Sequence, residues 1–300
     1  MAIPLYVSDH VRAACEAGRA VVALESTIFS HLGLPSPSNA EALHGCLAAI
    51  RDHGATAAIT AVIDGIERVG LADAEHPLIL GPARKAAERD LSVAVGQRWP
   101  VGATTVSASV ALSARAGVKV FATGGIGGVH RGAEETGDIS ADLGAIARHP
   151  VVTVSAGAKA FLDLPRTLEH LEMLGVPVIG FECDEFPAFT VRSSGLPLAH
   201  HTNDVAELAR IARAQLTTGT GMLVVTPVPA DVALAADELN AAIDTALASA
   251  AAAGITGAAV TPHVLAAIAA ATKGDAVRAN IALACNNADL AARLAVALAE

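Results

Sequence analysis

Short apolar runs alternate with longer amphipathic segments along the chain, and this alternation predicts strands separated by helices. The apolar runs contain few polar positions, which is typical of strands buried on both faces of a sheet. They lie at 21–24, 118–122, 151–154, 177–181 and 222–226. The amphipathic segments predict ten helices. Four are bounded by particular residues: one at 9–17, one between Asn39 and Gly54, one from Pro82 through Arg89, and one that follows Thr105 and continues through Arg115. The others lie at 140–148, 165–174, 205–215, 231–253, 262–272 and 275–298.

One hairpin is expected to interrupt the parallel pattern. Two apolar runs, 57–63 and 66–69, flank Asp64-Gly65, a dipeptide that favours a two-residue type I′ turn. Further short strands are predicted at 92–95 and 188–192. Strands that alternate with helices indicate a layered α/β fold with a largely parallel, mixed sheet. No low-complexity linker interrupts the pattern, so we predict a single domain over 1–300.

Composition narrows the classes of function. Hydrophobic residues make up 53% of the 300 residues, which is enough for a large core, and the net charge of −10 argues against general nucleic-acid binding. The four cysteines are scattered without CxxC spacing, so reduced thiols in a cytoplasmic protein are expected. The N-terminus does not show a signal-peptide pattern, and the alanine-rich run near 245–260 is interpreted as a buried helix rather than a membrane span.

The most informative stretch lies between residues 121 and 159. A buried strand leads into the glycine-rich loop 123–132, which is followed by a carboxylate-rich segment at 134–142. A second strand then leads into Ser155-Ala-Gly-Ala-Lys159. Ligands of open α/β sheets bind beyond the carboxyl ends of the strands, and glycines let backbone N–H groups approach an anion. The loop does not match a dinucleotide or P-loop pattern, so those ligands are excluded.

Three residues in this region and upstream of it carry candidate chemistry. Lys159 stands in an apolar setting, where partial desolvation favours a neutral amine that attacks carbonyl carbons. Glu25 ends an apolar strand, where burial can keep a carboxyl protonated at neutral pH. Asp138 offers a hard oxygen ligand for Mg²⁺ or Mn²⁺. The alternatives are a solvated lysine at a helix start, a turn carboxylate and a helix-capping aspartate, respectively.

Several long motifs resemble one family across nearly the whole chain. They are ALESTIFSHLGLPSPSNAEAL, GATTVSASVALSARAGVKVF, FATGGIGGVHRGAEETGDISADL, VSAGAKAFLDLPRTLEHLEMLGVPVIGF and ANIALACNNA. They are similar to the pseudouridine-5'-phosphate glycosidase family, which is also described as indigoidine synthase A-like. The resemblance implies a three-layer α/β/α fold and a homotrimer. It also implies a small-molecule substrate rather than a nucleic-acid or membrane partner.

The resemblance also assigns roles to ten positions. It implies that Glu25, Lys159 and Asn280 are catalytic and that Asp138 binds one Mn²⁺ per subunit. The positions that it implies contact substrate are Lys85, Val106, His130, Ser140, Ala141 and Asp142. From the residues alone, alternatives remain for two of them, Lys85 on a solvated helix face and His130 in a structural role. Asn286 and Asn287, which lie near Asn280, are alternatively helix N-caps.

The activity implied by the resemblance is reversible cleavage of pseudouridine 5'-phosphate to uracil and ribose 5-phosphate. The bond joins two carbons, so we expect Glu25 to assist ring opening and Lys159 to form a covalent imine with the ribose. Two alternatives are a Schiff-base aldolase that acts on a sugar phosphate, and a regulator that binds a phosphosugar without turnover. A pigment-pathway homologue with another substrate is a third.

Overall fold

A computed structural model of the chain describes residues 5–255 and 260–300, with the backbone alone at 261 and 262. Residues 1–4, which belong to the segment inspected for a signal peptide, and 256–259, in the alanine-rich run, lie outside the described part. The strands are β1 (Leu5–Val7), β2 (Val21–Leu24), β3 (Thr56–Ile63), β4 (Ile66–Val69), β5 (Arg84–Ala86), β6 (Val101–Thr104), β7 (Val120–Ala122), β8 (Val129–His130), β9 (Val152–Ser155), β10 (Leu162–Asp163), β11 (Val178–Phe181), β12 (His200–Thr202) and β13 (Met222–Val225).

Helices connect most of these strands. They are α1 (Asp9–Glu16), α2 (Ser38–Asp52), α3 (His76–Leu80), α4 (Leu91–Gly96), α5 (Val106–Arg115), α6 (Ala133–Thr136), α7 (Ala141–Arg148), α8 (Leu164–Met173), α9 (Val205–Leu216), α10 (Ala236–Ala252), α11 (Val260–Ala271) and α12 (Asp275–Ala299). Most of the predicted helices are confirmed within a few residues, but α10 begins at Ala236 rather than at 231.

The central sheet is mixed and largely parallel, as predicted. Its order is β1-β4-β3-β2-β7-β9-β13-β11-β12, and every pair from β3 to β12 along this order is parallel. Strand β3 pairs antiparallel with β4 and with β6. Between β3 and β4, Asp64 and Gly65 have φ values of 51° and 72°. Two positive φ angles are what a type I′ turn requires, so the predicted hairpin is confirmed.

Alternate residues of the strands face two separate hydrophobic clusters. Val22 and Leu24 pack in the cluster that contains the buried faces of α2, α9 and α12. Val21 and Ala23 pack in the other cluster, with the buried faces of α1, α5, α7 and α8. Because successive side chains of a strand point to opposite faces, helices cover both sides of the sheet. The three-layer α/β/α fold is therefore confirmed.

Helix α12 is long and apolar because it is a core helix. By length and composition it could cross a membrane, but half of its most apolar window is buried inside the protein. It packs against α2 and α9 and crosses strands β2, β7 and β9. Its buried residues include Leu283, Ala284 and Leu290. Contact with the sheet therefore accounts for its hydropathy.

Three local predictions are wrong. The segment from Pro82 is not a helix, because Lys85 lies in β5, opposite Ala103 of β6. The segment 92–95 is not a strand but lies in α4, where Leu91 and Ala94 are buried at helical spacing. The segment 188–192 is a tight turn instead of a strand, because Phe189 has a φ of 61° and Ala188 pairs with Val191.

Candidate active site

All ten residues singled out in the sequence line one cavity of about 590 Å³. The cavity lies at the carboxyl ends of β2, β6, β7 and β9, which deliver Glu25, Val106, the glycine-rich loop and Lys159. Strand β5 adds Lys85, and the start of α7 adds Ser140, Ala141 and Asp142. His130, Asp138 and Asn280 complete the group. The parallel strands β2, β7 and β9 bring their carboxyl ends to one edge, so residues far apart in the chain meet there. Strand β6, which is antiparallel to β3, ends beside them, because the hydroxyl of its Thr104 donates to Thr60 O of β3.

Glu25 is a nearly buried acid at the end of β2. It is 8% exposed, and the hydroxyl of Thr123 donates a hydrogen bond to its Oε1. Burial raises the pKa of Glu25 to about 7, although the charge of Lys159 and the Thr123 hydrogen bond act in the opposite direction. A carboxyl with a pKa of about 7 can both give and take a proton at neutral pH.

Lys159 is held by the glycine-rich loop. Its Nζ donates to the carbonyl oxygen of Gly125 at 3.1 Å. The backbone of the two segments is also joined, because Ile126 N donates to Gly157 O at 3.0 Å and Lys159 N donates to Ile126 O at 3.2 Å. The side chain is half-buried, so the amine borders the cavity while its stem packs against protein. The loop therefore determines where the amine lies.

Asp142 binds backbone groups on two sides of the cavity. Its Oδ1 accepts from Ser107 N at 3.0 Å, and its Oδ2 accepts from Gly127 N at 2.9 Å. Ser140 caps α7, because its Oγ accepts from Asp142 N at 3.2 Å. Both carboxylate oxygens of Asp142 thus connect α5 to the glycine-rich loop. The predicted substrate contacts of Ser140 and Asp142 stay predictions.

Gly127 is expected to be required because a side chain there has no space. A Cβ would lie 2.3 Å from Ser140 Oγ and 2.9 Å from Asp142 Oδ2. We expect Gly127→Ala to push the loop away from α7 and to lower kcat/KM at least about tenfold, as displaced active-site groups do. Gly96→Ala is the matched control, since a Cβ at Gly96 meets nothing within 4 Å. Equal kinetics for the two variants would contradict this expectation.

Asp138 is a partly exposed carboxylate in the wall of the cavity. Its Oδ2 lies 3.9 Å from His130 Nδ1, and its side chain is 35% exposed in the cavity wall. Among residues 5–255 and 260–300, there is no group of three His, Cys, Asp or Glu that could enclose an ion. A hard cation held by one carboxylate, with waters and a ligand phosphate as further ligands, fits this donor set.

Basic side chains line the cavity, among them Lys85, His130 and Lys159. Lys85 points into the cavity, where burial between the walls and the nearby charge of Lys159 lower the pKa of its ammonium group. Burial also lowers the pKa of His130, against the charge of Asp138. Lys85 lies on a strand rather than on the predicted helix, and its predicted contact with substrate stays a prediction.

Helix α12 supports the loop from the other side. Asn287 is fully buried, and its Nδ2 donates to Thr123 O at 2.8 Å and to Gly124 O at 3.1 Å. Asn280 borders the cavity and is 9% exposed, and its Oδ1 has no hydrogen-bond partner among the described residues. The alternative that Asn286 and Asn287 cap a helix is wrong, because both lie within α12.

Sequence reasoning missed several residues of the site. Thr123 had a signal, because it follows β7 just as Glu25 follows the neighbouring strand β2. Arg89, Phe189 and Leu265 also line the cavity, and no local pattern distinguishes them from surface or core residues. The support from Asn287 links positions 164 residues apart, so it could not be inferred from spacing.

The chain is similar to known proteins over nearly its whole length. A family described as indigoidine synthase A like protein matches residues 10–297. The pseudouridine-5'-phosphate glycosidase of Methylobacterium nodulans is 51% identical over 97% of this chain and 87% of its own. The Myxococcus xanthus protein of the same name is 49% identical over 99% of both chains.

Two solved structures share the fold. The prealnumycin C-glycosynthase AlnA, in complex with ribulose 5-phosphate, has a TM-score of 0.90 and 35% identity, and the match covers 100% of this chain and 98% of AlnA. An indigoidine synthase A-like protein of Thermotoga maritima has a TM-score of 0.89 and 30% identity, with 99% and 97% coverage.

Proposed function

The chain belongs to the indigoidine synthase A like family, and from that premise we propose that it is a pseudouridine-5'-phosphate glycosidase. It reversibly cleaves the carbon–carbon bond between C1' of ribose 5-phosphate and C5 of uracil. The observation that carries the proposal is one cavity that contains both a lysine amine and a nearly buried acid, Lys159 and Glu25.

The leaving atom determines which chemistry is needed. Glycosidases that cleave a C–O bond protonate a leaving oxygen between two carboxylates. Here the leaving atom is a carbon, so C5 must keep the two bonding electrons and gain a proton, and C1' must be stabilised as it loses them. A lysine amine bonded to C1' provides this route, because its nitrogen lone pair forms the C=N bond of an imine as the bond from C1' to C5 breaks.

The residues divide the reaction into two stages. Glu25 gives its proton to the ring oxygen as the bond between C1' and that oxygen breaks, and the amine of Lys159 bonds to C1'. The bond from C1' to C5 then breaks, and C5 takes a proton. Uracil departs, and an imine between Lys159 and ribose 5-phosphate remains. Water adds to the imine, returns the amine and releases the sugar phosphate.

The phosphate needs positive charge in a protein whose net charge is −10. Lys85 supplies one charge at the cavity wall, and the N–H groups of the glycine-rich loop are further donors. We propose that Asp138 holds one Mn²⁺, which when bound supplies further positive charge for the phosphate. The other substrate-binding positions are Val106, His130, Ser140, Ala141 and Asp142, and Asn280 orients the reacting sugar or base.

Incubation with pseudouridine 5'-phosphate tests the function directly. We expect stoichiometric uracil and ribose 5-phosphate, and the reverse reaction from these two products. An aldolase would cleave a sugar phosphate without a nucleobase, and a binding regulator would hold the phosphosugar unchanged. Absence of free uracil under single-turnover conditions would refute the proposal.

Removal of the metal should lower turnover, and replacement of Asp138 should raise the Mn²⁺ concentration that restores it. We expect a chelated enzyme to lose most activity and to recover it with Mn²⁺, because the phosphate loses a positive partner. Asp138→Asn should need at least about tenfold more Mn²⁺ for half-recovery, since one charged ligand is lost. Asp73→Asn, at a fully exposed aspartate, is the control. Full activity after thorough chelation would contradict the metal assignment.

The resemblance also supports a homotrimer in the cytoplasm. Light scattering of the purified protein should give three times the mass of the chain. A monomer at working concentrations would contradict the trimer without affecting the proposed reaction. The cytoplasmic location is supported by four free cysteines, of which Cys46 is buried and none is in a disulfide.

A further inference from the structure

Thr123 is fixed at all three of its polar groups. Its backbone N–H donates to Val154 O of β9 at 3.0 Å, and its carbonyl accepts from Asn287 Nδ2 at 2.8 Å. Its hydroxyl donates to Oε1 of Glu25. The side chain is 4% exposed, and a β-branched residue has few rotamers. The backbone bonds therefore aim the hydroxyl at one oxygen of Glu25.

The register of the sheet explains this contact. Leu24 of β2 lies opposite Ala122 of β7, so Glu25 and Thr123 are the next residues of two adjacent parallel strands. Asn287 approaches from α12 and holds the carbonyls of both Thr123 and Gly124. Helix α12 thus holds the end of β7, and β7 in turn presents the Thr123 hydroxyl to the carboxyl group that follows β2.

The two oxygens of Glu25 differ in their surroundings. Oε1 accepts from the hydroxyl of Thr123, whereas no residue in 5–255 or 260–300 forms a hydrogen bond to Oε2. Oε2 is nevertheless not among the polar atoms sealed from solvent, and Glu25 lines the cavity. While Thr123 donates to Oε1, a proton on the acid must be on Oε2, which faces the cavity.

We propose that Thr123 is a positioning residue, which selects the oxygen of Glu25 that carries the transferred proton and turns that oxygen toward the cavity. This inference builds on the proposed function, because it concerns the acid of the same reaction. In the proposed reaction Glu25 is a catalytic residue, since it lines the cavity and gives its proton to the substrate. Thr123 acts through Glu25, and Asn287 keeps Thr123 in place.

The charges around Glu25 determine the sign of the expected pH effect. Lys159 and Lys85 favour its charged form, as does the Thr123 hydrogen bond, whereas burial and the charge of Asp142 disfavour it. Removing the hydroxyl of Thr123 takes away one group that stabilises the carboxylate. The pKa of Glu25 should then rise further above about 7. Loss of one hydrogen bond to a charged group should raise the pKa of that group by about one to two units.

The experiment compares Thr123→Val with Thr123→Ser. Valine keeps the shape but lacks the donor, and serine keeps the donor. Cleavage needs the protonated acid, so kcat/KM should fall at high pH. In Thr123→Val, the pH at which kcat/KM falls should be higher by about one to two units, and the plateau value of kcat/KM should be about tenfold lower. With Thr123→Ser, both should stay close to those of the unchanged protein.

A second measurement does not depend on turnover. The carboxyl carbon of Glu25 can be followed by NMR in protein labelled at glutamate, with its signal assigned by its absence in Glu25→Gln. We expect the same upward shift of the titration in Thr123→Val and not in Thr123→Ser. An unshifted titration in Thr123→Val, or equal effects of both variants, would overturn the proposal. If the titration shifts while no variant or parent protein releases uracil, only the proposed function fails.

Discussion

Replacement of Lys159 by methionine should abolish uracil release, with kcat lower by at least about 10³–10⁴-fold. Methionine keeps an unbranched side chain in the half-buried position but cannot bond to C1'. It also loses the donor to Gly125 O, which lies 3.1 Å from Nζ. Substrate should still bind, because the loop and the groups on the opposite wall are unchanged. A change in kcat with little change in binding is therefore expected.

Reduction of the covalent intermediate gives an independent measurement. Borohydride added during turnover should attach a reduced ribose phosphate to the peptide that contains Lys159, and to no other peptide. Lys119→Met is the matched control, since Lys119 is an exposed lysine outside the cavity, and it should keep full activity and trapping. Trapping on another lysine, or substantial turnover by Lys159→Met, would refute the covalent role.

Replacement of Glu25 by glutamine should lower kcat by about 10²–10⁴-fold, which is the usual contribution of general acid–base catalysis. Glutamine has the same shape and still accepts from Thr123, but it has no acidic proton. The loss of activity at high pH that belongs to Glu25 should disappear from the variant. Glu16→Gln, at an exposed glutamate of α1, should leave both rate and pH profile unchanged.

The same variant should be more stable than the parent protein at high pH. Burial raises the pKa of Glu25 from 4.5 to about 7, so the folded state holds the proton more tightly than the unfolded state. The stability from this group is fully present below pH 4.5 and is lost as pH rises through about 7. The shift corresponds to at most about 3 kcal/mol. Glu25→Gln should therefore unfold at higher denaturant concentration at pH 8 but not at pH 4.

A stability difference that does not depend on pH would contradict this expectation, and an active Glu25→Gln enzyme would contradict the catalytic role of Glu25. The pair of measurements separates two roles of one side chain. Burial of this carboxyl lowers the stability of the folded protein when the group is charged. The same burial is useful for catalysis, because the group can release its proton near neutral pH. Activity and stability should therefore change in opposite directions in this variant.

Local patterns were sufficient for most elements but failed where tertiary contacts compete with propensity. The segment around Lys85 has the composition of a helix, yet it pairs with β6, because Ala86 is buried next to that strand. Val93 and Val95 suggested a strand, yet the buried residues Leu91 and Ala94 have helical spacing. Short segments of this kind satisfy either period, and burial decides between them.

The long-range hydrogen bonds of the site were also beyond local reasoning. The local sequence is compatible with a helix cap at Asn287, yet this residue lies within α12 and donates to the carbonyls of Thr123 and Gly124. Thr123 received no role from its motif, although it is the cross-strand neighbour of Glu25. Both roles depend on which strands are adjacent and on where α12 crosses them.

By itself, the sequence determined the alternation of strands and helices, the two-residue hairpin turn and the ten positions that its motifs single out. These properties follow from the period of apolar residues, from the φ preferences of Asp-Gly and from long contiguous motifs. Only the tertiary structure decided that Glu25 is nearly buried, that Gly125 holds the amine of Lys159, and that Thr123 and Asn287 support them. Burial and hydrogen-bond geometry arise when parallel strands and a crossing helix bring distant residues together, and sequence spacing does not encode those distances.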